Sequence, residues 1–284
     1  MNRPDDASYR IEDLLRVMQR LRDPQHGCPW DLQQDFATIV PSTLEEAYEL
    51  VEAIEHGDFG HVAEELGDLM FQVVFYAQMG QERGLFDFPQ IIHTLVDKLV
   101  RRHPHVFAGG AIEGVVDGDA SVAEVKQSWE AIKREERAAR QQHSVLDDIP
   151  LALPALSRAQ KVQKRAATVG FDWPDLDGVL AKLHEELAEL TQAMNTEGDT
   201  AARKQQVEGE LGDLLFSCVN MARRNGIDAE AALRRATTKF EGRFNAVEAR
   251  LEERGERVED TPLDVLDQLW EEVKRDAREP HGDA

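Results

Sequence analysis

Apolar residues along this chain recur at helical spacing. Leu180, Leu183, Leu187, Leu190 and Met194 follow a 3,4,3,4 rhythm that puts them on one stripe of one helix. Val207, Leu211, Leu214, Cys218 and Met221 repeat the rhythm on the next segment. In the first half, Leu44, Ala47, Tyr48, Val51 and Ile54 make a similar face. The strict alternation of a half-buried strand is hard to find. The pattern predicts helices over 9–22, 43–56, 59–83, 88–102, 121–142, 154–168, 177–195, 200–224, 228–253 and 262–277. Ser42 with Glu45, and Thr43 with Glu46, are spaced as capping boxes and mark a helix start. Residues 103–120 hold Pro104 and four glycines and read as a loop. Residues 143–154 carry Pro150 and Pro154 and read as a linker between an N-terminal half, 1–142, and a C-terminal half, 155–284.

The halves are one module written twice. Glu45-Glu46-x-x-Glu49 returns as Glu185-Glu186-x-x-Glu189, and Glu65-Leu66-Gly67-Asp68-Leu69 as Glu210-Leu211-Gly212-Asp213-Leu214. Lys98-x-x-x-Arg102 returns as Lys239-x-x-x-Arg243, and Trp129-x-x-x-Lys133 as Trp270-x-x-x-Lys274. Gly27-x-x-Trp30 is echoed by Gly170-x-x-Trp173. The order is kept and the offset is nearly constant, which marks an internal duplication.

Composition narrows the class. The length of 284 residues suits two domains of about 100–200 residues, each able to bury a core without disulfides. The two cysteines, Cys28 and Cys218, form no framework and no zinc spacing, which fits a reducing cytoplasm. The polar, acidic N-terminus is not expected to be a secretory signal, and no apolar run approaches the roughly 20 residues of a membrane span. A net charge of −22 argues against a nucleic-acid polymer as partner, since phosphate backbones are met by basic surfaces.

The acids carry the chemistry. Glu186 and Glu189, three apart on a helix, project from one face, and Glu210 and Asp213 repeat this on the following helix. If the helices pack antiparallel, four carboxylates converge, and without a cation they repel one another. Oxygen-only ligands suit Mg²⁺ or Mn²⁺, and four acids point to more than one ion on a polyphosphate. Glu46, Glu49, Glu65 and Asp68 form a second candidate site. One Glu-x-x-Glu pair alone is ordinarily a solvated face; two pairs on successive helices, found twice, are not. The acids are expected to lie away from the apolar stripe, so that removing one leaves the helices intact. Gly67 and Gly212 cost their helices about 1 kcal/mol each relative to alanine, which suggests a close approach. Lys239 and Arg243 lie one turn apart and can hold phosphates, and Trp270 with Lys274 offers a stacking platform.

These motifs resemble the MazG nucleoside triphosphate pyrophosphohydrolases. GCPWD at 27–31, RRHPHVFA at 101–108, DDIP at 147–150, VGFDW at 169–173 and GELGDLLF at 209–216 extend the likeness along the two-domain bacterial form. The resemblance implies tandem four-helix-bundle-type modules, homodimerisation, Mg²⁺ dependence and hydrolysis of ribo- and deoxyribonucleoside triphosphates to monophosphate and pyrophosphate. It assigns metal to Glu186, Glu189, Glu210 and Asp213. It assigns nucleotide to Lys182, Leu183, His184 and Glu185, and to Lys239, Arg243 and Trp270. Glu185 is a candidate to orient or deprotonate the attacking water. The chain departs from the family at Gln206, where a basic residue is expected, and at Gly209, where an acid often stands.

Two other readings compete. A di-iron carboxylate bundle usually carries Glu-x-x-His on two helices, and no histidine here follows a glutamate by three. A non-enzymatic helical adaptor would leave the acidic clusters inert. Within the enzyme reading, catalysis is expected in the C-terminal half. Pro104 stops the helix after Arg102, whereas the helix carrying Arg243 continues to about Glu253, and Trp129 would hang on a glycine-rich connection.

Overall fold

The computed structural model describes residues 8–115, 120–139, 144–196 and 200–277. Parts of three expected segments therefore lie outside the described residues: the glycine-rich loop at 116–119, the end of the 121–142 helix with the first linker residue, and 197–199. Eleven α-helices are formed among the described residues: α1 Ile11–Leu21, α2 Pro29–Gln33, α3 Val40–His56, α4 Phe59–Glu82, α5 Phe88–Arg102, α6 Val122–Ala139, α7 Ala155–Ala167, α8 Leu176–Asn195, α9 Thr200–Arg224, α10 Ala229–Glu253 and α11 Leu263–Asp276. No strand occurs among the described residues, and no helix is long and apolar enough to cross a membrane. The chain forms two compact units, Met1–Glu136 and Arg137–Ala284.

The first unit is built on a hairpin of α3 and α4. Gly57 takes the left-handed conformation at φ 73°, which closes α3, and the Asp58 carboxylate accepts the His61 N–H at 3.1 Å to open α4. With two residues between them the helices must run antiparallel. α1 crosses α4 and buries Met18 against Ile39, Val74, Phe75 and Met79, flanked by Phe36, Phe71 and Tyr76. α5 opens on a reciprocal capping box: Asp87 accepts the Gln90 N–H at 2.9 Å, and Gln90 accepts the Asp87 N–H at 3.0 Å. It stops at Arg102, two residues before Pro104.

Two local differences from the sequence reading have simple causes. α2 is only five residues long, too short for periodicity, and its one signal is Pro29 at the helix start. α3 begins at Val40, so neither expected capping box is made. Pro41 sits in its first turn, where the missing N–H is harmless, and the Thr43 hydroxyl bonds the Ile39 carbonyl (3.1 Å) and the Tyr76 hydroxyl (3.0 Å).

In the second unit α8 runs along α9, α7 packs on α9 and α10, and α11 packs on α10. Asp175 and Asp228 cap α8 and α10 through the N–H groups of Gly178 (3.1 Å) and Ala231 (2.8 Å). Arg223, near the end of α9, holds Asp172 at 2.5 and 3.1 Å, which fixes the approach to α8 and keeps that carboxyl below its ordinary range. Val247, Leu251, Leu269 and Val273 form the core between α10 and α11. The stretch expected as a linker makes turns packed on this unit: Ile149 is buried, and Arg165 donates to the Val145 carbonyl at 3.0 Å.

The apolar stripes do not all turn inward. The buried line of α8 is Val179, Glu186 and Ala193, seven residues apart, while Leu187 is 51% and Met194 61% exposed in the single chain. On α3, Leu44, Tyr48 and Ile54 are exposed and Ala53 is buried. The hairpins close along lines of small residues that include an acid, and much of the apolar stripe faces out. Phe75→Ala in the α1–α4 core is expected to cost about 3–5 kcal/mol by urea unfolding, against at most about 0.5 kcal/mol for exposed Leu85→Ala. Equal losses would contradict this placement of the core.

Candidate active site

On α8 and α9, Glu186, Glu189 and Glu210 each bring one carboxylate oxygen within 4.8 Å of the others. Glu186 is 4% exposed, Glu210 is half-buried and Glu189 is open. Asp213, one turn along α9, is exposed and lies outside this trio. Glu186 lies off the leucine stripe but on the buried line of α8, because the stripe itself faces outward. Lys182 answers this burial. Its ammonium donates to Glu186 Oε1 at 2.8 Å and to Glu185 Oε1 at 3.0 Å, and these two bonds hold it protonated well above the ordinary lysine range. Burial, then the neighbouring Glu186 charge, pushes the Glu189 carboxyl up.

The N-terminal half repeats the trio with Glu46, Glu49 and Glu65, again with the following acid, Asp68, outside it. Burial and the charges of Asp68 and Glu49 push Glu46 up. The nitrogen partner of the buried acid, however, has changed helix. The position matching Lys182 is Ser42, and the position matching Gln206 is His61, whose Nε2 lies 3.0 Å from Glu65 Oε1. Glu65 is 6% exposed, and its Oε2 has no partner. Gln72 adds a side-chain amide at 3.4 Å from Glu46 Oε1 where the other half has Ser217.

The remaining candidates divide. Lys182 and Leu183 lie one turn before Glu186, on its side of α8, while His184 is two residues away, exposed, and not brought to the cluster. Arg243 stands 5.9 Å from the centroid of the Trp270 ring, which also packs on Phe240 at 5.1 Å. Neither Lys239 nor Arg243 has a carboxylate partner among the described residues; Lys274 donates to Glu271 at 2.5 Å. In the first unit the matching Arg102 is held by Glu136, an acid that belongs to none of the repeated motifs. Trp129 does not hang loose as expected: it packs edge-on against His103 at 5.1 Å, with its Nε1 buried and unpaired. Gly67 and Gly212 also differ from expectation. A Cβ at either would meet nothing within 4 Å, so the close approach is not made within the single chain. Lys182 was the signal most open to sequence reasoning, being four residues before Glu186.

A hard divalent cation fits this donor set. Every ligand is a carboxylate oxygen, the charges repel in its absence, and one buried oxygen of Glu65 lacks any partner. The model of the MazG nucleotide pyrophosphohydrolase domain matches the sequence twice, over residues 34–107 and 176–248. The chain belongs to this family. It is 52% identical to a nucleoside triphosphate pyrophosphohydrolase of Escherichia coli K12 over 94% of this chain and 97% of that one. With a nucleoside triphosphate pyrophosphohydrolase/pyrophosphatase MazG of Thermotoga maritima it shares 42% identity over 95% and 97%. With a nucleoside triphosphate pyrophosphohydrolase of Mycobacterium tuberculosis it shares 36% over 57% and 46%. The two MazG matches include both acidic trios and both Lys-x-x-x-Arg pairs, and end before Trp129 and Trp270.

Saturating Mg²⁺ is expected to stabilise the protein by about 2–3 kcal/mol at 100 times its dissociation constant, read as a rise in Tm. Combining Glu189→Gln with Glu49→Gln should raise the Tm of the metal-free protein and shrink its response to Mg²⁺. An unchanged response would show that the cation binds elsewhere.

Proposed function

We propose that this MazG chain is a Mg²⁺-dependent hydrolase that converts nucleoside triphosphates to monophosphate and pyrophosphate at the α8–α9 seam of its C-terminal half. The observation that carries this reading is the trio of Glu186, Glu189 and Glu210 within 4.8 Å, in a half whose Lys239 and Arg243 are unclaimed by any described carboxylate. The names of the relatives support the reaction.

Glu186, Glu189, Glu210 and Asp213 would hold the metal, which bound there neutralises phosphate oxygens and acidifies a coordinated water. Asp213, exposed at the cluster's end, is free to turn toward an arriving ligand. Lys182 fixes Glu185 and Glu186 through two bonds, so Glu185 is pre-positioned to orient the nucleophile. Lys239 and Arg243 take phosphate oxygens. Trp270 offers a flat face that tolerates any base, in keeping with a broad ribo- and deoxyribonucleotide range and a role in controlling the nucleotide pool.

The same reading makes the protein a cytoplasmic homodimer. Leu180, Leu187, Met194, Leu211, Leu215 and Phe216 are exposed on α8 and α9, and a second copy of this hairpin would complete a four-helix core. Gly209 and Gly212 leave open space on α9 beside those residues.

Incubated with each triphosphate and Mg²⁺, the protein should release monophosphate and pyrophosphate in one step, resolved by ion-exchange separation. Accumulating diphosphate and orthophosphate would mean that the other anhydride is cut. In solution the mass should be twice 32.0 kDa, and Leu187→Asp should halve it. A wild-type monomer that still turns over would end the dimer reading.

A further inference from the structure

The two copies of the Lys-x-x-x-Arg motif have different neighbours. In the second unit α10 runs ten residues past Arg243, and Arg250 ties it to α11 through Asp276 and, at 3.6 Å, Glu272. Among the described residues, Arg243 meets the Trp270 ring and no carboxylate. In the first unit α5 ends at Arg102, so no later turn exists to carry such a tie. The motif arginine serves instead. Arg102 donates to Glu136 Oε2 at 2.5 Å and Oε1 at 3.2 Å, and Arg101 adds a bond to Oε1 at 2.5 Å. Glu136 stands seven residues after Trp129; the residue seven after Trp270 is Ala277, and the position matching Arg101 is Gly242. The C-terminal half thus lacks both the acid and the second arginine.

A forked contact of one guanidinium with two anionic oxygens is the geometry in which arginine binds phosphate. We propose that Glu136 is a built-in occupant of the phosphate position of the N-terminal half: by holding Arg102 it keeps a triphosphate from binding there, and its removal opens a second nucleotide site. This rests on Arg102 and Arg243 being matching phosphate contacts. The Glu136 carboxyl is held down to about 2, chiefly by its bonds to Arg102. A carboxyl lowered this way is ionised throughout its ordinary range and is protonated only as pH falls through about 2, so at neutral pH it is present as the anion that Arg102 holds.

The test is calorimetric titration of the full-length chain with Mg²⁺ and α,β-methylene ATP, whose scissile bridge does not hydrolyse. In a Glu186→Gln, Glu189→Gln background, adding Glu136→Gln should tighten binding at least about tenfold, the gain expected when the competent state was a tenth of the population or less. Adding Arg102→Ala should abolish that gain, whereas Glu130→Gln in place of Glu136→Gln should produce none. A purely structural tie would not create binding that depends on Arg102. The reciprocal variant needs no change in the first unit: Ala277→Glu in the wild-type chain should capture Arg243 and weaken binding at least about tenfold, with Ala277→Gln near wild type. Wild type that binds, with no gain from Glu136→Gln and no loss from Ala277→Glu, overturns this proposal alone. Wild type and Glu136→Gln that both fail to bind overturn the proposed function with it.

Discussion

A carboxylate on the inward line of a helix pair must be neutralised, and this molecule is arranged around that demand. Glu186 sits between Val179 and Ala193 on the buried line of α8, and Glu65 sits between Val62 and Leu69 on α4. An isolated buried charge is too costly to keep, so each acid has a nitrogen partner one turn before it: the Lys182 ammonium for Glu186, the His61 ring for Glu65. The other acids of each trio then gather close to a site whose charge is only partly balanced. What remains is negative, oxygen-only and open on one side, as a hard cation carrying phosphate requires. The same seam explains the exposed leucines. α8 meets α9 through Ala193 and Glu186 and turns Leu187 and Met194 outward.

Duplication produced two such seams, and physical chemistry has moved them apart. The nitrogen partner of the buried acid changed helix, and Gln72 brought an amide to Glu46. The arginine that would meet phosphate is tied by Glu136 in one unit and stacked on Trp270 in the other. One backbone fact underlies the last difference. Pro104 ends α5 at Arg102, while α10 continues to Glu253 and supplies Arg250 to hold α11.

Much of this was legible in the residues. Helical periodicity gave the elements, five ordered repeats gave the duplication, and spacing put Glu186, Glu189 and Glu210 where the structure brings them together. What was not legible has a common cause. Periodicity shows that Leu180, Leu183, Leu187, Leu190 and Met194 share a stripe, but not which partner covers it, and the inward line lies one residue away and includes an acid. Asp213 shares a turn with Glu210 yet stays outside the trio, because helical spacing sets a direction and not the reach across to α8. Glu136 belongs to no motif; only the path of α6 past the end of α5 reveals what it holds.

The central claim is that the C-terminal seam performs the hydrolysis while the N-terminal one, with the same trio, does not. Turnover of Glu186→Gln with Glu189→Gln, compared with Glu46→Gln with Glu49→Gln, tests it most directly, with helical content and oligomeric state checked in both. The C-terminal pair should lose at least about 100-fold in kcat, the scale of loss when reacting groups are no longer held in place, while the N-terminal pair stays near wild type. Equal losses in the two pairs would contradict the account.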